Sequence, residues 1–164
     1  MNITYLGHSC FLVDTGKAKL LFDPFIRPNE LAQGKVDIDK IEADYILVSH
    51  GHSDHTADLV YLANKTGATV IGSWEMSVWL KGQGIDKSHA MNFGGSRQFE
   101  FGTVKMFQAA HTSSFEDNSY AGAAGGFIVD AGDKSFYYSG DTGLFMDMQL
   151  IPYFHRLDFA FMPI

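Results

Sequence analysis

Four potential metal ligands lie within six consecutive positions of the chain, namely His50, His52, Asp54 and His55. Imidazole and carboxylate groups are the ligands that zinc, iron and manganese take from proteins. In an extended stretch, side chains two positions apart point the same way, so His50 and His52 can bind one ion. Where the chain turns toward a helix, Asp54 and His55 can point to the other side and bind a second ion. The segment therefore predicts a site for one or two divalent metal ions.

Two later residues fit the same chemistry, because each follows a predicted strand directly. His111 comes just after residues 104–109, and Asp141 comes just after residues 135–138. An aspartate between two metal ions can bridge them and hold them at the spacing that a shared hydroxide needs. Taken alone, a histidine at a strand end is more often a surface or capping residue, and an aspartate after a glycine is more often part of a turn. The order in which both residues follow the first segment favours a metal site.

The segment with the first four ligands follows a continuous apolar run at residues 45–48. Such a run indicates a strand buried on both faces, as in a parallel sheet. A histidine-rich surface loop with weak metal affinity is the alternative, and a position directly after a core strand disfavours it. Helical periodicity follows at residues 58–65, with Gly67 as a stop, and then a predicted strand at 68–71 and a predicted helix at 74–81. This order of elements predicts a parallel βαβ region.

Short strands with turns between them account for most of the remaining chain. They are predicted at residues 3–6, 10–14, 19–22, 89–93, 97–101, 104–109, 126–130 and 135–138. The turn at residues 131–134 joins the last two strands as a hairpin. Residues 144–154 are predicted to be helical, although Pro152 weakens the end of that helix. The apolar run at residues 157–164 predicts another buried strand.

Length and composition are those of an ordinary globular domain. The chain has 164 residues, of which 46% are hydrophobic and 19% charged, so we expect a single domain over residues 1–164. The net charge of −7 argues against a nucleic-acid-binding protein but allows a small-molecule substrate, even an anionic one, since divalent cations would reverse the local field. Cys10 is the one cysteine, and no signal peptide or bilayer-spanning run is visible. We therefore expect a cytoplasmic protein without membrane contacts.

The six candidate ligands stand in an order that resembles the signature of the metallo-β-lactamase superfamily: His50-x-His52-x-Asp54-His55, then His111, then Asp141. Residues 4–11 (TYLGHSCF) and 22–25 (FDPF) are similar to a more specific branch of that superfamily. The branch comprises bacterial and archaeal proteins described as metal-dependent hydrolases, near the ascorbate-6-phosphate lactonases. The resemblance implies an α+β/α/β fold, namely a four-layer αββα sandwich with the metals at the edge between two sheets.

The resemblance also implies a role for each ligand. The first metal ion would be held by three histidines, His50, His52 and His111. The second would be held by Asp54 and His55, and Asp141 would bridge both ions. We expect zinc in these sites, one or two ions per chain, with manganese, iron and nickel as alternatives.

Two residues are the candidate catalytic groups, Asp54 and His8. Asp54 could orient the attacking hydroxide besides being a ligand. The resemblance implies that His8 faces the active site, where we expect it to contact substrate or shuttle protons; a histidine packed in a turn is the alternative. Asp23 is expected to support the histidine cluster, because a metal-bound imidazole needs an acceptor for its other N–H. His89 and His155 match no motif and are expected at the surface.

The chain departs from the family at its C-terminal end. Superfamily members normally carry one more histidine there, which completes the second metal site, and a closing helix and strand after the segment that matches residues 158–164. His155 cannot readily replace that histidine, because it precedes the last predicted strand. We therefore expect a fold that is incomplete at its C-terminus, with an edge that a homo-oligomer or a partner chain could cover.

Together, these features predict a metal-dependent hydrolase. A metal-bound hydroxide would attack an ester, lactone, amide or phosphoester of a small molecule. One alternative is a catalytically incomplete metal-binding fragment or assembly module, in which the metal contributes to folding only. Another is a di-iron redox protein; such proteins usually carry a glutamate at the position of His52, so this histidine favours hydrolysis.

Overall fold

The computed structural model describes residues 1–163, which form two β-sheets with helices outside them. The first sheet contains β1 (Asn2–Gly7), β2 (Cys10–Asp14), β3 (Lys19–Phe22), β4 (Tyr45–Leu47), β5 (Thr69–Ser73) and β6 (Ser88–Met91). The second sheet contains β7 (Ser96–Phe99), β8 (Gly102–Gln108), β9 (Gly125–Asp130), β10 (Ser135–Tyr138) and β11 (Phe159–Phe161). The α-helices are α1 (Ser53–Thr56), α2 (Leu59–Thr66), α3 (Trp74–Gly82) and α4 (Ile151–Phe154), with short 3-10 helices at Ile38–Lys40 and Met146–Leu150.

The first sheet changes from antiparallel to parallel pairing along its width. Its strands lie in the order β1-β2-β3-β4-β5-β6, with antiparallel pairing up to β3 and parallel pairing from β3 to β6. In β4, Leu47 pairs with Phe22 on one side and with Ile71 on the other. Ile46 and Leu47 are fully buried, as the continuous apolar run predicts. The predicted parallel βαβ region is therefore confirmed.

The two sheets pack face to face through alternate residues of their strands. Leu20, Phe22 and Leu47 from the first sheet share one core with side chains of the second sheet, among them Phe127 and Phe136. The rings of Phe22 and Phe136 meet at a centroid distance of 5.9 Å. Burial of apolar side chains of this size contributes about 1.5–3 kcal/mol each, which makes this layer the main support of the site at its edge.

Helices cover the outer faces of both sheets. Ile46 and Val70 of the first sheet pack with Leu62 of α2 and Leu80 of α3. On the second sheet, Ile128 and Tyr137 pack with Ile151 of α4. The order helix, sheet, sheet, helix confirms the predicted αββα sandwich, with a thin fourth layer.

Helix α2 shows how local signals set the bounds of an element. The periodic residues Leu59, Leu62 and Ala63 are its buried side, and the helix runs one residue later than predicted. Gly67 follows in the left-handed conformation with φ 67°, and its N–H donates to the carbonyl oxygen of Ala63. Glycine stops the helix here because it adopts this conformation without a steric penalty. Among the helices of residues 1–163, none combines the length and the apolar character that crossing a bilayer requires.

Two predictions for the last part of the chain are corrected. The helix predicted over residues 144–154 is shorter, because a 3-10 helix precedes α4, and Pro152 lies in the first turn of α4, where its missing N–H removes no helical hydrogen bond. The buried strand predicted over residues 157–164 is the three-residue β11, an edge strand with partly exposed side chains. Ile164 lies outside the described residues.

Candidate metal centre

The candidate ligands meet at one edge of the sandwich, where several strands end together. Strand β4 leads into the segment with His50 and His52, and α1 begins directly after it. Strands β8 and β10 both run antiparallel to β9, so they end at the same edge, and His111 and Asp141 follow those ends. The turn between β1 and β2 brings His8 to the same place. The fold thus joins residues from distant parts of the chain.

Three histidines form the first group of ligands. One ring nitrogen from each of His50, His52 and His111 lies within 4.8 Å of the other two. Nε2 of His50 is 3.0 Å from Nδ1 of His52, and the ring centroid of His111 is 5.0 Å from that of His50. His50 is buried and His111 is exposed, so the group is open to solvent on one side. The structure therefore brings together the three imidazoles that are predicted to share one ion.

Asp54, His55 and Asp141 form the neighbouring group. Nε2 of His55 lies 3.4 Å from Oδ2 of Asp141 and 3.9 Å from Oδ2 of Asp54. The same oxygen of Asp141 lies 3.9 Å from Nε2 of His111. Asp141 thus faces both groups, which is the position that a bridging role requires.

Asp23 is a fully buried carboxylate that contacts the second group from the interior. Its Oδ1 accepts a hydrogen bond from the backbone N–H of Ser49 at 2.7 Å. Its Oδ2 lies 2.8 Å from Nδ1 of His55 and accepts hydrogen bonds from the hydroxyls of Ser49 at 2.5 Å and Tyr138 at 2.6 Å. The contact with Nδ1 fixes the ring so that Nε2 of His55 faces Asp141. This is the contact expected for Asp23.

The charges at the site depend strongly on one another. Burial alone would lower the pKa of His55, but the charges of Asp23 and Asp141 raise it to about 10. Burial would raise the pKa of Asp23, but the charge and hydrogen bond of His55 bring it below its ordinary value; contact with His55 also lowers the pKa of Asp141. Burial and the positive charge of His55 lower the pKa of His50 to about 4, so His50 is the neutral imidazole that metal binding needs. Without a bound metal ion, a protonated His55 supplies the positive charge that the carboxylates require, and an ion bound at Nε2 would replace that proton.

The donor set fits a divalent metal ion. Nε2 of His55 is buried and, within residues 1–163, makes no well-formed hydrogen bond, since Asp141 is 3.4 Å away. A buried polar atom without a partner is costly, and a cation beside it would provide one. The neighbouring imidazoles and carboxylates are the ligand types that zinc takes.

His8 lies beside the second group. Its Nε2 is 3.1 Å from Oδ2 of Asp54, and its ring is 5.1 Å from that of His55 and 5.5 Å from that of Phe25. The structure therefore places both candidate catalytic residues, Asp54 and His8, at the site. Their roles stay predictions.

Sequence reasoning missed the buried carboxylate of Asp58. Its Oδ2 accepts the backbone N–H groups of Ile26 at 2.7 Å and Arg27 at 2.8 Å, and its Oδ1 contacts the guanidinium of Arg27. These contacts join the segment after Asp23 to the start of α2, directly behind the ligand segment. The signal available in the sequence was an acidic residue between the ligand segment and an apolar helix face.

Three other residues that the sequence singled out lie away from the ligand groups or in the core. His89 packs against Phe99 and His155 follows α4, and both are partly exposed and away from the ligand groups. Cys10 is fully buried in β2, and burial raises the pKa of its thiol to about 12.

Comparison with known proteins identifies the family. Residues 10–164 match the model of the beta-lactamase superfamily domain. A UPF0173 metal-dependent hydrolase from Methylacidiphilum infernorum (isolate V4) is 46% identical over 164 residues, which is 100% of this chain and 72% of that protein. The chain belongs to the UPF0173 metal-dependent hydrolase family.

Further relatives agree with this assignment. A UPF0173 metal-dependent hydrolase from Christiangramia forsetii is 45% identical over 164 residues, again 100% of this chain and 72% of that protein. Among solved structures, Igni18, described as a novel metallo hydrolase from the hyperthermophilic archaeon Ignicoccus hospitalis, has a TM-score of 0.84 at 28% identity and covers 96% of this chain and 68% of that chain. The predicted resemblance to metal-dependent hydrolases of the metallo-β-lactamase fold is thus confirmed.

Proposed function

We propose that this UPF0173 member hydrolyses a small molecule with the help of one or two divalent metal ions. The observation that carries the proposal is the meeting of six ligand-type side chains at one open edge of the sandwich. Zinc is the metal that we propose first, with manganese, iron and nickel as alternatives. Ester, lactone, amide and phosphoester bonds are the candidate substrates.

The two groups of ligands would divide the ions between them. His50, His52 and His111 would hold the first ion. Asp54 and His55 would hold the second ion, and Asp141 would bridge the two. When bound, such ions lower the pKa of a water molecule toward neutrality and polarise the carbonyl or phosphoryl group of a substrate.

The surrounding residues fix the imidazoles in advance. The hydroxyl of Ser49 lies 2.9 Å from Nδ1 of His50, and Asp23 contacts Nδ1 of His55, so each ring directs Nε2 into the site. Such contacts select the ring orientation and raise the basicity of the ligand nitrogen. The side chain of Asp54 is 44% exposed, which leaves it accessible to orient a water molecule and take up its proton.

A cavity of about 600 Å³ opens beside Asp141 and His8. Its walls include the apolar rings of Tyr5, Phe11 and Phe161. Small-molecule sites typically have about 300–1,000 Å³ and a mainly apolar lining with a few polar groups. The cavity therefore supports a small-molecule substrate bound next to the ligand groups.

Other functions have less support. A redox role would favour a carboxylate at the position of His52, whereas its imidazole lies 3.0 Å from that of His50. A metal-binding assembly module would use the same ligands without turnover, whereas the two relatives described above are named metal-dependent hydrolases.

We also propose that the protein has no nucleic-acid partner, on the net charge of −7. A cytoplasmic location without membrane contacts stays a prediction from the sequence. A homo-oligomer or a partner chain at the edge beside β11 stays a prediction. Exposed apolar side chains such as Leu144, Met146 and Tyr153 support it.

The metal content per chain, after purification without added metal or chelator, tests the proposed function. We expect one to two equivalents in the native chain, loss in His50→Ala and no change in His155→Ala, which removes a histidine away from the site. Hydrolysis of a panel of nitrophenyl esters, lactones and phosphodiesters should follow the metal content. A native chain that binds no metal, even with added zinc or manganese, would contradict the proposal.

A further inference from the structure

We propose that His8 is itself a ligand of the second metal ion, through Nε2, together with Asp54 and His55. This inference rests on the proposed function and deepens it, because it gives the second ion a nitrogen ligand from the turn between β1 and β2. It replaces the substrate-contacting or proton-shuttling role that the sequence predicts for His8.

The spacing of the polar atoms supports this assignment. A tetrahedral ion with ligands at about 2.0–2.1 Å separates those ligand atoms by about 3.4 Å. Around the second group, the separations are 3.1 Å from His8 to Asp54, 3.4 Å from His55 to Asp141 and 3.9 Å from His55 to Asp54. His8, Asp54 and His55 each offer one ligand atom within 4.8 Å of the other two. Nε2 of His8 is thus as close to Asp54 as the predicted ligands are to each other.

The local backbone directs the side chain of His8 into this group. Gly7 and His8 have φ values of 103° and 53°, and only a few per cent of non-glycine residues adopt the left-handed region. Such a conformation persists only where the surroundings hold it. Here the ring packs edge-on against His55 and Phe25, and the carbonyl oxygen of Ser9 lies 2.9 Å from the hydroxyl of Tyr138. The turn is therefore held from both sides while it presents one imidazole to the site.

A His8–Asp54 pair that only moves protons is the competing interpretation. It would account for the 3.1 Å contact between Nε2 of His8 and Oδ2 of Asp54. It would not account for Nε2 of His55, which faces the same oxygen of Asp54. Oδ2 of Asp54 faces His8 and His55 together, and Nε2 of His55 is buried without a well-formed hydrogen bond in the described part of the chain. A cation shared by the three side chains gives every one of these atoms a partner, whereas a single hydrogen bond does not.

Titration of the metal-free chain with Co²⁺ tests the inference, because visible absorption bands of bound Co²⁺ report its ligands without relying on activity. Glycine is at ease at a φ of 53°, so His8→Gly removes the imidazole without straining the turn. His8→Asn, which also tolerates the left-handed region, is measured beside it so that the result does not depend on the folding of one variant. His155→Ala is the matched control.

We expect the native chain and His155→Ala to bind two equivalents of Co²⁺. In both His8 variants, the affinity for one equivalent should fall about 100-fold or more, since even an indirect partner of a metal ligand is worth about 10–100-fold. The absorption bands of that equivalent should change, and added imidazole should partly restore them in His8→Gly.

Three results separate the possibilities. Two equivalents with native affinity and spectrum in the His8 variants would overturn the inference and leave the proposed function intact. One equivalent in the native chain would also overturn it, because no second ion would be bound. No binding of Co²⁺ by the native chain would instead contradict the proposed function itself.

Discussion

Replacing Asp23 by asparagine removes a buried negative charge from the site while it keeps nearly the same shape. Oδ1 of Asp23 accepts the backbone N–H of Ser49, and Oδ2 faces the Ser49 hydroxyl, the Tyr138 hydroxyl and Nδ1 of His55. If the amide oxygen keeps the three contacts of Oδ2, the amide NH₂ must face the N–H of Ser49, which lies 2.7 Å away in the native protein. If the amide flips, its NH₂ faces three donors instead. Either orientation loses at least one charge-assisted hydrogen bond.

The cost follows from these contacts. A hydrogen bond to a charged group contributes about 1.5–3 kcal/mol, so its loss together with a clash of donors should lower the free energy of unfolding of the metal-free protein by about 2–4 kcal/mol. For a chain of this size, each kcal/mol shifts Tm by about 2–4 °C. Because Asp23 also orients His55, we expect zinc affinity to fall about 10–100-fold.

Thermal unfolding of the chelator-treated protein and zinc competition against a chelator measure the two effects. Tyr138→Phe is the matched control, because it removes one of the four contacts and keeps the charge of Asp23. Because it also removes the contact with the carbonyl oxygen of Ser9, it should cost about 1–2 kcal/mol, and it should lower the zinc affinity less than Asp23→Asn does. Equal zinc affinities in Asp23→Asn and Tyr138→Phe would refute the reasoning that the charge of Asp23 supports His55.

Two further predictions concern residues outside the ligand groups. Asp58→Ala leaves the backbone N–H groups of Ile26 and Arg27 without their acceptor, so the free energy of unfolding in urea should fall by about 2–4 kcal/mol. Glu42→Ala, which breaks an exposed ion pair with Lys19, should change it little, and equal losses would be inconsistent with the role of the buried carboxylate. Since burial raises the pKa of Cys10 to about 12, roughly one thiol in ten thousand is ionised at pH 8, and iodoacetamide should alkylate it at least about 100-fold more slowly in native than in urea-unfolded protein. Similar rates would show that the core around β2 opens readily.

The parts of the fold with strong local signals could be predicted from the sequence. The apolar run in β4 and the periodicity of α2 each have one physical explanation, namely burial on both faces and burial of one helix side. The region after Asp141 was harder, because apolar side chains such as Leu144 and Tyr153 are exposed there, and their residue type alone indicates burial. The edge position of β11 depends on its neighbours in the sheet, which the sequence of that segment does not encode.

The same distinction applies to the site. The ligand segment could be recognised because its residues are close together in the sequence. Asp58 and Tyr138 could not, since their functions depend on partners 31 and 115 positions away, Arg27 and Asp23. The contact between His8 and Asp54 likewise exists only because the turn between β1 and β2 ends at the edge to which β4 also leads.

The ligands belong to both halves of the sandwich, and this has a consequence for folding. His50 and His52 follow β4 of the first sheet, whereas His111 and Asp141 follow β8 and β10 of the second. An ion held by all of them would cross-link the two sheets. At a free metal concentration of 100 times its Kd, such an ion adds about 2.7 kcal/mol to the stability of the folded chain. The two sheets could not separate without releasing that ion. A higher metal affinity would therefore mean a higher free energy for separating the two sheets.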